Sequence, residues 1–385
     1  MALMSRAIVQ TGTRAIEMRE FPVPEIGDED ALLKIEVCGI CGSDWAQYQG
    51  EYNSFVRYPV VPGHEPVGII ARIGKLASKR WGVKEGDRVV VEPLLPCGFC
   101  KYCIQGEYNT CNGYGRLSCY SYIPIDVEPT ALWGGYADYM YLDPHSLVHK
   151  IDSSLPADLA ALYNPLGSGV HWAIHRQGTK LGDTIVILGC GQRGLCSVIA
   201  AKEAGCSCIV VTGLRRDEYK MKLALEFGAD HVIYADEEDV VEAVKKILPD
   251  GADIVLDTTP NSPQSVNHAV DIVAPNGTIG LAGVKGTHRV NNLRTDTIME
   301  KSARILGTKG VPWQANETAI RMIESRRFPL EKLHTHTIPL EQTEYALRLL
   351  AGEFPGEEAI HISISPNITE IQKFGLHSSK EMERA

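Results

Sequence analysis

From Ala7 to about Leu155, apolar residues gather in short, strand-length runs cut by Gly and Pro. The pattern predicts strands over Ala31 to Val37, Pro66 to Ile73, Arg88 to Glu92 and Tyr136 to Leu142, with turns at Pro62-Gly63 and Glu85-Gly86-Asp87. This stretch reads as a β-rich domain with long loops. From Asp158 the texture changes to strand and helix in alternation. Strands are predicted at Thr184 to Leu188, Ser207 to Thr212, His231 to Tyr234, Asp253 to Leu256, Thr278 to Ala282 and Arg304 to Leu306, and helices at Gly194 to Ala204 and Asp217 to Phe227. Such alternation implies a parallel sheet covered on both faces. After about Gly310 come helical stretches at Glu317 to Ser325 and Glu341 to Gly352 and a strand at Ala359 to Ser365, and then a polar end from Asn367 to Ala385 that forms a terminal helix or frays.

Composition narrows the class. At 385 residues the chain is long for one core, and two domains are expected. It is 44% hydrophobic and 22% charged with a net charge of -10, and its acidic and basic residues are interleaved, which disfavours a nucleic-acid partner. No apolar run approaches the roughly 20 residues of a membrane span, and Met1 to Gly12 lacks the features of a signal peptide, so a cytoplasmic protein is expected. Eleven cysteines, an odd number, fit metal ligands and free thiols better than a disulfide framework.

Five of those cysteines are assigned to metal. Cys97, Cys100, Cys103 and Cys111 are spaced C-x2-C-x2-C-x7-C, and four thiolates close the tetrahedral sphere of Zn2+, leaving no position for water or substrate. That site is structural, within a compact lobe over about 96–112, and Cys119 is a bystander. Cys41, in Cys38-Gly39-Ile40-Cys41-Gly42-Ser43-Asp44, and His64-Glu65, after Pro62-Gly63, form a second constellation of thiolate, imidazole and carboxylate. This set leaves a coordination position open, as a Lewis-acid site requires.

A nucleotide signal lies between the halves. Gly189-Cys190-Gly191-Gln192-Arg193-Gly194 follows a strand and opens a helix. Gly189 makes the turn, Gly191 lets the backbone approach a pyrophosphate at the helix N-terminus, and Gly194 permits close packing. At the end of the next strand Gly213 stands where an acid would bind the 2'-hydroxyl of NAD, and Arg215 and Arg216 follow it. Without that carboxylate, a 2'-phosphate meets less repulsion and two available cations, so the reading leans to NADP over NAD.

Together these motifs resemble the zinc-dependent medium-chain alcohol dehydrogenases, in texture the sorbitol, threonine and butanediol dehydrogenase branch. Gly86-Asp87-Arg88-Val89 and Gly134-Gly135-Tyr136-Ala137-Asp138-Tyr139 add to the match, which covers nearly the whole chain in the family's order. The resemblance implies an α/β protein: a GroES-like catalytic domain from 1–168 and 311–385, and a doubly wound Rossmann domain over 169–310. It implies two Zn2+ per chain, Cys41 and His64 as catalytic-zinc ligands, Glu65 as a ligand that exchanges with water, and Ser43 as the hydroxyl that passes the substrate proton to solvent. Asn164, in Asn164-Pro165-Leu166-Gly167, falls where this branch carries Glu or Asp as a further ligand; a neutral amide oxygen there binds more weakly. A homodimer or homotetramer, associating through the Rossmann sheet edge, is also implied.

The implied reaction moves a hydride between an alcohol, a secondary alcohol or diol, and NAD(P)+. Trp45, Tyr48, Tyr52, Phe55, Tyr114, Tyr120 and Trp133 make the nearby loops aromatic, which points to an apolar or ring-containing alcohol if they line the site and to packing if they do not. His171 and His175, four apart on a predicted helix, are read as core or surface residues, and Lys309-Gly310 as approaching the nicotinamide. The competing readings are a zinc-free enone or quinone reductase, a lyase or epimerase with tightly held nicotinamide, and a non-enzymatic nucleotide-binding protein of the same fold.

Overall fold

The computed structural model describes residues 3–113 and 118–374. The chain divides into two compact units: Met1–Tyr163 with Ile323–Ser325 and Leu330–Ala385, and Asn164–Met322 with Arg326–Pro329. This division moves both expected boundaries. The segment from Val311 to Met322 sits with the second unit, because Asn316 bonds back to Val311 O at 3.4 Å and a side chain at Gly167 would lie only 2.8 Å from Asn316 and from Val311. The helix Trp313–Ser325 thus begins as part of the nucleotide unit and crosses to the other near its end.

In the first unit the long strand Ala31–Ile40 is the organising element. It pairs antiparallel with Glu65–Ile73, with Tyr139–Leu142 and with His361–Ser365, so that both chain ends meet on one sheet. Nearly every position of Ala31–Ile40 is buried, as in a strand covered on both faces, and Leu33, Ile35, Val89, Trp133 and Met140 pack into one core. An N-terminal hairpin, Met4–Gly12 with Ala15–Pro22, is an element the sequence pattern does not announce: its second strand is largely exposed. The polar end is not helical over 367–374, where it contributes the two-residue strand Gln372–Lys373 beside His334–Pro339, and 375–385 lie outside the described residues.

The second unit is a six-stranded parallel sheet. Its order is His231–Tyr234, Cys208–Gly213, Thr184–Leu188, Ala252–Asp257, Val273–Leu281, Arg304–Gly307, which by chain position is 3-2-1-4-5-6. That is the doubly wound dinucleotide-binding order, with its reversal of direction at the strand that carries the glycine turn. The inner strands bury Val186, Val210, Val255 and Ile279 completely, which explains their unbroken apolar runs. No described helix is long and apolar enough to cross a membrane.

Candidate functional site

Cys41 is held at a strand-to-helix corner. It follows the strand Ala31–Ile40 and caps the helix Gly42–Gln49, with its side chain accepting from Ser43 N and Asp44 Oδ2 accepting from Cys41 N at 2.9 Å. This reciprocal box fixes both side chains at the helix start. His64 arrives on a second loop, placed by Gly63 at φ +92°, where a side chain would strike the Tyr136 ring at 2.5 Å.

The two loops converge. Cys41 Sγ lies 3.2 Å from His64 Nε2, and Ser43 Oγ lies 2.5 Å from the thiol and 3.2 Å from the same nitrogen. On the other side of the ring, Asp44 Oδ1 is 3.1 Å from His64 Nδ1. With Nδ1 turned to a carboxylate, Nε2 faces the thiol, which is the orientation a ligating imidazole takes. Burial disfavours the imidazolium, but Asp44 and Cys41 outweigh it and hold His64 well above its ordinary value. The pocket therefore favours positive charge, and a thiol, an imidazole nitrogen and an orienting carboxylate form a donor set that fits Zn2+.

Glu65 follows directly but is not part of that converging set. It is fully buried at the start of the strand Glu65–Ile73, across from Gly39. Asn164 belongs to the second unit, where its Oδ1 accepts from Arg193 Nη2 at 3.1 Å. Arg193 also donates to Ser168 and stacks over Trp172 at 5.3 Å, so this fingerprint side chain is turned back onto the preceding helical segment.

Cys97, Cys100, Cys103 and Cys111 bring their sulfurs within 4.8 Å of one another. Backbone amides point at them, Cys100 N to Cys97 Sγ at 3.3 Å and Gly113 N to Cys111 Sγ at 3.2 Å, as thiolates require. The lobe is anchored by Tyr108 Oη donating to Glu92 Oε2 at 2.7 Å, and Glu92 in turn meets the fully buried His149 at 2.9 Å. The four sulfurs fit a closed tetrahedral zinc site.

In the glycine turn each residue has a distinct reason. Gly189 has φ +104° with Thr258 against it, and a side chain at Gly194 would sit 2.1 Å from Gly189 O. Gly191 meets nothing within 4 Å, and it precedes the helix Gln192–Glu203, whose first amides have no side-chain cap. Open space before bare helix amides suits an anion. At Gly213 a side chain would strike Met221 Sδ at 2.5 Å and Cys190 Sγ at 2.7 Å, so packing excludes an acid there. Arg215 is exposed, stacked over Tyr234 at 5.1 Å, and Arg216 beside it is exposed as well.

Of the aromatic residues, Tyr48, Tyr120 and Trp133 are core, and Tyr114 lies outside the described residues. Tyr52 and Phe55 form a cluster with Tyr122, which sequence reasoning missed, at ring distances of 5.0 to 6.0 Å. Burial pushes the Tyr52 phenol up to about 12, with Cys41 adding to it, and Tyr122 rises for the same reason with a smaller share from Cys41. The cluster thus lies within electrostatic reach of Cys41. Asp44 was also missed; an acid at the third helical position after a capping residue is the signal that finds it. His171 is buried in the second unit and held down to about 4 by burial, in keeping with a core residue.

Comparison with known proteins agrees with this geometry. Residues 27–153 match the alcohol dehydrogenase GroES-like domain and residues 194–325 the zinc-binding dehydrogenase domain. A probable alcohol dehydrogenase of Mycobacterium tuberculosis is 40% identical over 363 residues, spanning 94% of this chain and 98% of its own. The chain belongs to the zinc-dependent medium-chain alcohol dehydrogenase family. The sorbitol dehydrogenase of Bacillus subtilis is 32% identical over 94% of this chain and 97% of its own, consistent with the branch read from the motifs. Among solved structures, a putative zinc-binding dehydrogenase of Sinorhizobium meliloti bound to NADP matches with TM-score 0.82 and 25% identity, over 94% of this chain and all of the other. The protein is thus an NAD(P)-dependent oxidoreductase of the alcohol dehydrogenase type.

Proposed function

We propose that the protein interconverts a secondary alcohol or diol and its carbonyl product, with NADP preferred over NAD. The observation that carries the reading is the convergence of Cys41, His64 and Ser43 with Asp44 behind the imidazole. Cys41 and His64 would hold one Zn2+ with Glu65 as the exchanging ligand, and Cys97, Cys100, Cys103 and Cys111 a second. Zinc held by Cys41 and His64 would supply a Lewis acid toward a substrate hydroxyl, and bound NAD(P) would supply the hydride acceptor.

The chain's own residues do the rest. Asp44 keeps His64 in one orientation, Ser43 Oγ accepts the hydroxyl proton as it passes its own on toward solvent, and the cluster of Tyr52, Phe55 and Tyr122 offers apolar surface to the carbon skeleton, favouring an apolar or ring-containing substrate over a polyol. Gly191 and the amides after it receive the pyrophosphate. Gly213, Arg215 and Arg216 accept the 2'-phosphate in place of the excluded acid. At the edge of the Rossmann sheet, Ile305 and nearby Met299 remain 38% and 70% exposed, which suits association into a homodimer or homotetramer through this edge.

The test is to offer the purified chain NAD+ or NADP+ with secondary alcohols, diols, polyols and aromatic alcohols, following the reduced nicotinamide at about 340 nm. Turnover faster with NADP+, abolished by a zinc chelator and regained with zinc, is the expected result. Turnover untouched when total zinc falls from two equivalents to one would instead indicate chemistry that does not use Cys41 and His64.

A further inference from the structure

A doubly wound sheet binds its dinucleotide in the crevice outside the carboxyl ends of the strands where the order reverses. Here those strands are Thr184–Leu188, which runs into the glycine turn, and its neighbour Ala252–Asp257, which runs into Thr258 and Thr259. The glycine turn is one wall of that crevice and the segment 258–261 the other. The two walls touch: Thr258 Oγ1 donates to Leu188 O at 2.9 Å, and a side chain at Gly189 would lie 2.8 Å from the same hydroxyl oxygen.

The second wall is held by a buried ion pair that lies outside the glycine fingerprint. Asp257 is fully buried, and Lys285, on the loop after the strand Val273–Leu281, has a side chain 15% exposed with its Nζ 2.8 Å from Asp257 Oδ2. The carboxylate also accepts from Thr259 N at 3.0 Å, from Thr259 Oγ1 at 2.6 Å and from Ser265 Oγ at 2.8 Å. Lys285 Nζ in turn donates to Thr259 O at 2.5 Å and to Thr259 Oγ1 at 3.1 Å. Both ions thus converge on Thr259 and hold its amide, its hydroxyl and its carbonyl.

Two more contacts join the same loops. Asn261, at φ +56°, donates its N–H to Val284 O at 2.9 Å, and a side chain at Gly283 would lie 2.2 Å from Thr259 O. A buried ion pair is weak evidence of stability, because apolar residues of similar volume often serve as well, but removing one partner leaves a charge that the surroundings must rearrange to accommodate. What would rearrange here is the wall of the crevice.

We propose that Lys285 and Asp257 are a positioning pair for the dinucleotide, which sets the backbone of 258–261 before the cofactor arrives. Neither side chain has to touch the cofactor. A wall already ordered gives up less freedom on binding, so loss of the pair weakens the cofactor. Gly213 ends the strand on the far side of Thr184–Leu188, so this wall stands apart from the position read above for the 2'-phosphate, and NAD and NADP are weakened alike. The test is equilibrium binding in the second unit, so the pair fails or holds separately from the zinc reading and from the preference for NADP.

The experiment measures NADPH and NADH binding to full-length, zinc-loaded protein by the fluorescence of the reduced nicotinamide, beside hydrogen exchange of the cofactor-free protein. Lys285→Met should raise Kd roughly tenfold for both cofactors and leave their ratio unchanged. In that variant the amides of Thr259 and Asn261 should exchange faster, while those of Ile254 to Leu256 stay protected. Asp257→Asn should weaken binding by a similar factor, and the double variant by no more than either alone, since the two residues act as a unit. If Asp257→Asn does not fold, Thr259→Val, which removes only the hydroxyl held by the pair, takes its place; a smaller loss for both cofactors is then expected, and affinity equal to wild type counts against the proposal. Kd within twofold of wild type in Lys285→Met, with only Tm lowered, would mean that the pair serves stability alone and would overturn the positioning role. So would a loss in Lys285→Met that Asp257→Asn does not share, which would make Lys285 a direct cofactor ligand, or a loss confined to NADPH.

Discussion

Asp44 makes two contacts at once, to Cys41 N at 2.9 Å and to His64 Nδ1 at 3.1 Å. An amide in its place has one oxygen for both tasks, so Asp44→Asn should lower kcat/KM by roughly 10- to 100-fold with a cap loss of about 1 kcal/mol. Steady-state kinetics beside thermal melts would check this; activity within twofold of wild type would remove Asp44 from the positioning role. Asn164 poses the converse question, because its Oδ1 already accepts from Arg193. Asn164→Ala should therefore keep both zinc equivalents, and loss of one on metal analysis would make Asn164 a ligand after all. At this scale the legible residues were those whose spacing carries the chemistry, such as the cysteine run and Gly63-His64-Glu65. Tyr122 and the Asp257–Lys285 pair were not legible, since the contacts that give them meaning join positions far apart in the chain.

The same contrast holds for elements. Thr184–Leu188 and His231–Tyr234 match their expected ranges residue for residue; the first is a short apolar run in a buried parallel strand with no competing period, and the second is an edge strand whose turn-flanked β-branched and aromatic run marks it. The hairpin strand Ala15–Pro22 faces solvent along most of its length, and its polar sequence gives no such signal. The helical segment Val170–His175 has π-type hydrogen bonding, which no apolar period announces. The cysteine lobe is a third kind of element, whose order depends on four sulfurs more than on packing, since Phe99 and Ile104 are 65% and 75% exposed. Metal binding there is folding energy. Cys100→Ser should lower Tm by on the order of 10 °C while leaving residual turnover. Cys41→Ser should abolish turnover with Tm nearly unchanged, and equal losses of Tm in both would undo the division into structural and catalytic sites.

Over the whole molecule, both units bury histidines that the fold keeps neutral. Burial holds His336 of the first unit and His171 of the second down to about 4 from an ordinary 6.5, and His334 and His268 are lowered for the same reason. Between those values the unfolded chain binds more protons than the native one, so stability increases with pH across the window. It is fully present above 6.5 and drains away as pH falls toward 4. Carboxylates that the fold lowers, such as Glu357 with its hydrogen bond from Tyr345 and Glu353 with Arg348, begin to lose their contribution only below their ordinary 4.5. The interval from pH 6.5 to 5 therefore isolates the histidines, provided zinc is kept saturating so that His64 does not titrate. Urea midpoints measured at pH 7 and pH 5 with equal m-values should fall at the lower pH, and His336→Gln should reduce the difference because one proton-binding site is gone from the unfolded state. A midpoint that stays level from pH 7 to 5 would mean that these rings reach water in the native protein and are not held neutral by burial.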